Sequence, residues 1–185
     1  MRITGGELRG RALAVPKSGA IRPTQDRVRE ALFSMLAPEV PGSDVLDLFA
    51  GTGAIGLEAV SRGARSATFV ESDRRHVSAL KANVESLGAT DKASVMAADA
   101  YRWMASYSGP GFSMAFADPP YALGEERGYA SVLETLARRG VVRENGLFTA
   151  EMTAVQRAEE TPGWELLRDR TYGKTRICVW RRHDT

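Results

Sequence analysis

The chain has 185 residues, 43% of them hydrophobic and 26% charged, with one cysteine and a formal net charge of +2. These values predict one soluble globular domain, residues 1–185. They exclude an internal disulfide, and no stretch approaches a membrane span or the apolar core of a signal sequence, so the expected location is the cytoplasm. The small net charge conceals an asymmetry. Residues 1–30 hold seven basic and three acidic side chains and residues 168–185 six and two, whereas residues 31–167 hold twelve basic against eighteen acidic. Basic ends suit a phosphate backbone, and an acidic centre suits a cationic cofactor.

Residues 2–15 alternate weakly around Gly5-Gly6 and Gly10, which predicts a β-hairpin or extended arm, with 1–23 as a basic extension of the domain. Thr24 can cap a helix from about Gln25 to Leu36, with Val28, Leu32, Phe33 and Leu36 on one face and Pro38 ending it. This helix is expected to cover the cofactor site. Strands near 44–49, 66–71, 93–98, 112–117 and 146–151 then alternate with helices at 54–62, 74–87, 100–106 and 127–139. Such alternation predicts a parallel sheet covered on both faces. Strands near 164–171 and 175–182, joined around Tyr172-Gly173-Lys174, read as an antiparallel hairpin closing a seven-stranded sheet. In the last strand Cys178 reads as a small buried hydrophobe. With only His76 and His183 beside it, neither a metal site nor a Cys/His nucleophile has enough partners.

Two motifs carry chemistry. Asp44 to Glu58 is a strand, a glycine loop (Gly51-Thr52-Gly53) and a helix start, the nucleotide-binding unit of α/β proteins. Glycine lets the backbone turn sharply and lets a ligand approach where a Cβ would collide. Gly51-x-Gly53-x-x-Gly56 with Glu71 twenty residues on satisfies the dinucleotide fingerprint, which alone does not separate NAD from another adenosine cofactor. Asp47 favours the latter: its carboxylate would repel a pyrophosphate but suits an ammonium group, as in S-adenosylmethionine. The second motif, Asp118-Pro119-Pro120-Tyr121, ends the apolar run 112–117 in a proline-stiffened turn. Asp118 and the Pro119 carbonyl can accept both hydrogens of a planar exocyclic amine while its ring stacks on Tyr121.

With both motifs in place the chain resembles class I S-adenosylmethionine-dependent methyltransferases, and DPPY after an AGTG loop is the pattern of those that methylate base amines. Residues 2–13, Arg22-Pro23-Thr24, 27–36 and Tyr172-Gly173-Lys174-Thr175 extend the likeness to the RsmD-type family over essentially the whole chain; Lys174 is a small departure. The resemblance implies methyl transfer to guanine N2 of small-subunit (16S) ribosomal RNA, within the small subunit or an assembly intermediate; the expected protein is a monomer without a metal. It also implies a doubly wound, Rossmann-like sheet. The implied cofactor set is Asp47, Phe49, Gly51, Thr52, Gly53, Glu71 and Ser72, with Asp99 and Ala100 at the adenine; Glu71 would take the ribose hydroxyls. Asp118, Pro119, Pro120 and Tyr121 form the catalytic set, and Arg9, Arg11 and Arg22 are the nucleic-acid candidates.

Three rival readings stand beside this one. An NAD-linked dehydrogenase explains the glycines but gives DPPY no task. A non-catalytic RNA-binding module explains the basic ends only. Adenine N6 or cytosine N4, in DNA or another RNA, presents the same kind of amine to DPPY.

Overall fold

The computed structural model describes residues 1–16, 26–119 and 129–183. They fall into two compact units, Met1–Asp99 and Ala100–Thr185.

In the first unit, helix α1 (Asp26–Met35) precedes the run β1 (Asp44–Leu48), α2 (Ala54–Ser61), β2 (Ser66–Glu71), α3 (Arg74–Ser86), a 3-10 turn at Thr90–Lys92 and β3 (Ala93–Ala97). β1 pairs with β2, and β2 with β3, in parallel, so each connection crosses over through a helix. Val45, Leu46, Leu48, Phe69 and Val70 are fully buried, as strands covered on both faces require. The end of α3 follows from one residue. Gly88 takes φ 64°, its amide donates to Glu85 and that of Ala89 to Val84, which satisfies the last carbonyls of the helix.

The second unit runs α4 (Ala100–Ser106), β4 (Phe112–Ala117), α5 (Ala130–Arg138), β5 (Val142–Thr153), β6 (Trp164–Tyr172) and β7 (Thr175–Arg182). Every residue of β4 is buried. β4 and β5 are parallel, whereas β7 is antiparallel to both β5 and β6. The seven strands are ordered β3-β2-β1-β4-β5-β7-β6. This is the expected mostly parallel sheet ending in an antiparallel hairpin.

Two segments differ from the sequence reading. β5 begins at Val142 rather than near 146, because Val142 pairs with Phe112 and Leu147 with Met114, leaving Arg143–Gly146 as a bulge with Asn145 at φ 60°. The polar Arg143-Glu144-Asn145 masks that beginning. The N-terminal segment is not a regular hairpin: one antiparallel bridge, Arg2 to Ala12, closes a series of turns. Ile3, Gly10 and Leu13 donate within the segment, but other amides between them are drawn elsewhere. Those of Thr4 and Gly5 donate to Glu58, that of Glu7 to the Ser61 carbonyl and that of Leu8 to the Ser61 hydroxyl. A Cβ on Gly6 would lie 1.9 Å from the Ser61 carbonyl oxygen, so the arm docks backbone to backbone on the end of α2.

Candidate active site

The glycine loop between β1 and α2 is held by three side chains from outside it. Asp47, 4% exposed, accepts from the Gly56 amide at 2.9 Å through Oδ2. Glu71, at the end of β2, accepts from the Gly51 amide at 2.8 Å and, through its other oxygen, from the Asp73 amide at 2.8 Å. Asn83 of α3 donates to the Thr52 carbonyl at 3.0 Å. Within the loop Phe49 and Gly51 take φ of 58° and 56° and Gly53 83°. A phenylalanine in that region costs on the order of 1–2 kcal/mol and persists only where its surroundings fix it, a pattern that concentrates at functional sites.

The three glycines serve different ends, which corrects the uniform role expected of them. A Cβ on Gly51 would meet nothing within 4 Å, so its face of the loop is open. On Gly53 it would lie 2.2 Å from Leu80, and on Gly56 2.3 Å from Phe69. Those two are small so that α2 can settle on β2 and α3.

The electrostatics separate the cofactor readings. The amides of Gly51 and Gly56, which a pyrophosphate would need, are already donated to carboxylates of the chain itself. Burial pushes the Asp47 carboxyl up to about 8, against the Gly56 hydrogen bond and with the negative charge of Glu71 adding to it. A loop backed by the Glu71 carboxylate and by an Asp47 carboxyl that a neighbouring cation would ionise favours a cation over an anion. One consequence is measurable. Between about pH 4 and pH 8 the folded chain holds a proton that the unfolded chain has released, so stability falls as pH rises, by up to about 1.4 kcal/mol per pH unit. Asp47→Asn keeps an acceptor for Gly56 and removes that titration. Urea unfolding from pH 5 to 8 is expected to show a flatter profile for the variant; parallel profiles would refute the assignment.

The remaining cofactor candidates lie at neighbouring strand ends. Ser72 is exposed directly after β2, and Asp99 is exposed two residues after β3, next to buried Ala100 at the start of α4. Asp73, read as a helix-start residue, caps α3 by accepting from the Arg75 amide at 2.8 Å.

In the second unit Asp118 and buried Pro119 follow β4 directly; Pro120 and Tyr121 lie outside the described residues. Tyr129, 6% exposed, donates its hydroxyl to the Glu151 carbonyl at 2.7 Å. Burial, and then the negative charge of Asp118, raises its phenol above the ordinary range. Tyr129 is therefore a neutral donor and not a base. The sequence offered only an isolated aromatic beyond DPPY.

Of the nucleic-acid candidates, Arg9 and Arg11 are exposed in the arm, and Arg22 lies outside the described residues. Arg11 has a second task, donating to the Ser86 carbonyl at the end of α3 at 2.7 Å. Three residues went unremarked as partners in the sequence: Glu58, Arg29 and Asn83, each a polar side chain on an otherwise apolar helix face and each no more than 1% exposed. That mismatch is the signal that marks them. Cys178 is fully buried, its thiol pushed up to about 12 chiefly by burial.

The family described as conserved hypothetical protein 95 matches residues 1–181. The ribosomal RNA small subunit methyltransferase D of Escherichia coli K12 is 37% identical over 183 residues, covering 98% of this chain and 90% of its own. The chain belongs to the RsmD family. The solved structure of Escherichia coli yhhF superposes with a TM-score of 0.88 at 34% identity, covering 100% of this chain and 99% of its own. A Salinibacter ruber RNA methyltransferase in complex with S-adenosyl-L-homocysteine shares the fold alone, at 13% identity and TM-score 0.68, over 89% of this chain and 95% of its own. The sheet is thus the Rossmann-like methyltransferase sheet.

Proposed function

We propose that the protein transfers a methyl group from S-adenosylmethionine to the exocyclic N2 amine of a guanine in small-subunit ribosomal RNA. The observation that carries the reading is the acidic glycine loop, whose amides are occupied by Asp47 and Glu71 and whose open face lies at Gly51. The residues fit the cofactor. A carboxylate offers about four acceptor positions, so Glu71 keeps two for ribose hydroxyls after serving Gly51 and Asp73. The buried Asp47 carboxyl, which keeps its proton up to about pH 8 in the empty loop, would give that proton up to pair with the methionine ammonium. Asp99 and Ala100 form the adenine end, with Ser72 beside the ribose.

S-adenosylmethionine supplies an electrophilic methyl group when bound. The protein's task is to aim the amine. The nitrogen lone pair of a base amine is delocalised into the ring; Asp118 and the Pro119 carbonyl accept its hydrogens and so direct the lone pair outward, with Tyr121 stacking on the base. Alignment of this kind can supply roughly 7–11 kcal/mol of the barrier. The methylated amine is cationic and releases its proton to Asp118 or water, so no strong base is required. The names of the relatives support RNA of the small subunit as substrate, within the subunit or an assembly intermediate. A monomer acting as a single domain in the cytoplasm completes the reading.

The test is nucleoside mass spectrometry after incubating the protein and labelled cofactor with small subunits, naked ribosomal RNA and DNA. N2-methylguanosine from the subunit or its RNA is the expected product; N6-methyladenine would overturn the guanine assignment. Recognition is expected to run through phosphates at the arm. Arg9→Ala should weaken RNA binding and lower the logarithmic salt slope by roughly 0.7–0.9, the value of one phosphate contact. Arg11→Ala should add a smaller change and lower the melting temperature slightly, because Arg11 also caps α3. An unchanged salt slope in the double variant would remove the arm from the interface.

A further inference from the structure

Asn83 joins the N-terminal arm to the glycine loop. It is 1% exposed, on the buried side of α3 beside Val77, Leu80 and Val84. Its Nδ2 donates to the Thr52 carbonyl at 3.0 Å and to the Ala14 carbonyl at 3.1 Å, and its Oδ1 accepts from the Ala14 amide at 2.7 Å. Both donor hydrogens are used. The orientation is fixed by these partners, since a flipped amide would set its oxygen against two carbonyls and its NH2 against an N–H. Of the three side chains that hold the loop, Asp47 and Glu71 come from the strands themselves; Asn83 alone also grips the arm. Nearby, the Thr52 hydroxyl lies 4.0 Å from the Met1 sulfur, a second approach of arm to loop.

We propose that Asn83 is a positioning residue that makes residues 12–14 of the arm a buttress of the cofactor loop, so that cofactor affinity depends on a segment that need not touch the cofactor. The inference rests on the S-adenosylmethionine reading above. The physical reason is that Thr52 lies between Gly51 and Gly53, both in left-handed backbone, where few intrinsic preferences hold the peptide. Its carbonyl direction is set by the one donor that reaches it from α3, and that donor is set by Ala14.

The experiment uses the full chain and S-adenosylhomocysteine as probe, with affinity measured by calorimetry and folding by circular dichroism and melting. Asn83→Ala removes the joint, and Ala14→Pro removes the arm's N–H while leaving Asn83 and the loop intact. Each is expected to weaken the probe about tenfold, the scale of one lost buried hydrogen bond, while the protein remains folded. In turnover, the KM for the methyl donor should rise far more than kcat falls, which a purely structural role would not produce. If Asn83→Ala does not fold, Ala14→Pro decides, because Ala14 is exposed. Wild-type affinity in a folded Ala14→Pro variant would overturn the buttress. A wild-type protein that fails to bind the probe would instead overturn the cofactor reading.

Discussion

Replacing Asp118 with alanine is expected to remove nearly all methyl transfer while leaving cofactor affinity within a few-fold. Asp118 follows the last residue of a fully buried strand, and Pro119 behind it fixes the turn. A preorganised acceptor of this kind costs little to align at the moment of reaction, and removing one such polar group from an active site typically lowers the rate about 100–1000-fold. The measurement is a single-turnover rate with saturating cofactor and RNA, beside calorimetric affinity for S-adenosylhomocysteine. Asp118→Asn keeps an acceptor oxygen but loses the charge, so it should lie between the wild type and Asp118→Ala. A wild-type single-turnover rate in Asp118→Ala would show that the amine is oriented by something else. A parallel collapse of cofactor affinity would mean that the turn supports the cofactor rather than the acceptor.

Glu58→Ala is expected to be the most destabilising single change in the first unit. Glu58 is fully buried in α2 and accepts from the amides of Thr4 and Gly5, the Thr4 hydroxyl, Arg29 Nε at 3.2 Å and Arg62 Nε at 2.8 Å. Arg29 has no exposure and is further tied to Asp26 at 2.8 Å and to the Arg2 carbonyl. Loss of Glu58 leaves a buried guanidinium without its buried counter-charge and two arm amides without their acceptor. Breaking a buried pair from one side costs about 3–5 kcal/mol, equivalent to roughly 6–20 °C in melting temperature at this chain length. Replacing both partners, Glu58→Met with Arg29→Leu, should recover the part of the loss that comes from the stranded guanidinium, because an apolar pair carries no desolvation penalty, but not the part that comes from the two arm amides. Thermal unfolding of the single and double variants measures both effects. A single-variant loss below about 1 kcal/mol would show that the network behaves like a solvated surface pair.

The strands and helices of the alternating region were legible because local pattern and tertiary role coincide there. Phe112–Ala117 is buried throughout and apolar but for Ser113 because it is covered on both faces, and α4 falls on 100–106 as expected. The beginning of β5 was not legible. Its first pairing, Val142 with Phe112, is followed by a polar bulge whose shape depends on the neighbouring strand. The arm is a bridged arm and not a regular two-stranded hairpin for a related reason: the amides of Thr4, Gly5, Glu7 and Leu8 bond to Glu58 and Ser61, acceptors more than fifty residues away in the chain.

The same division runs through the site. Asp47, Gly51, Gly53, Glu71 and Asp118 could be placed from sequence because each sits at a strand end, where a change from apolar run to glycine, proline or carboxylate marks the place. The sequence by itself thus determined the kind of sheet, the location of the loop and the identity of the family. What only the tertiary structure decided is how those residues are used. Gly53 and Gly56 are small to admit Leu80 and Phe69, Glu71 holds the Gly51 amide, and Asn83 and Glu58 bind the arm to the helices of the first unit. Those roles depend on hydrogen bonds and contacts between distant segments. A buried polar group must find a partner, but its own position in the chain does not say which one.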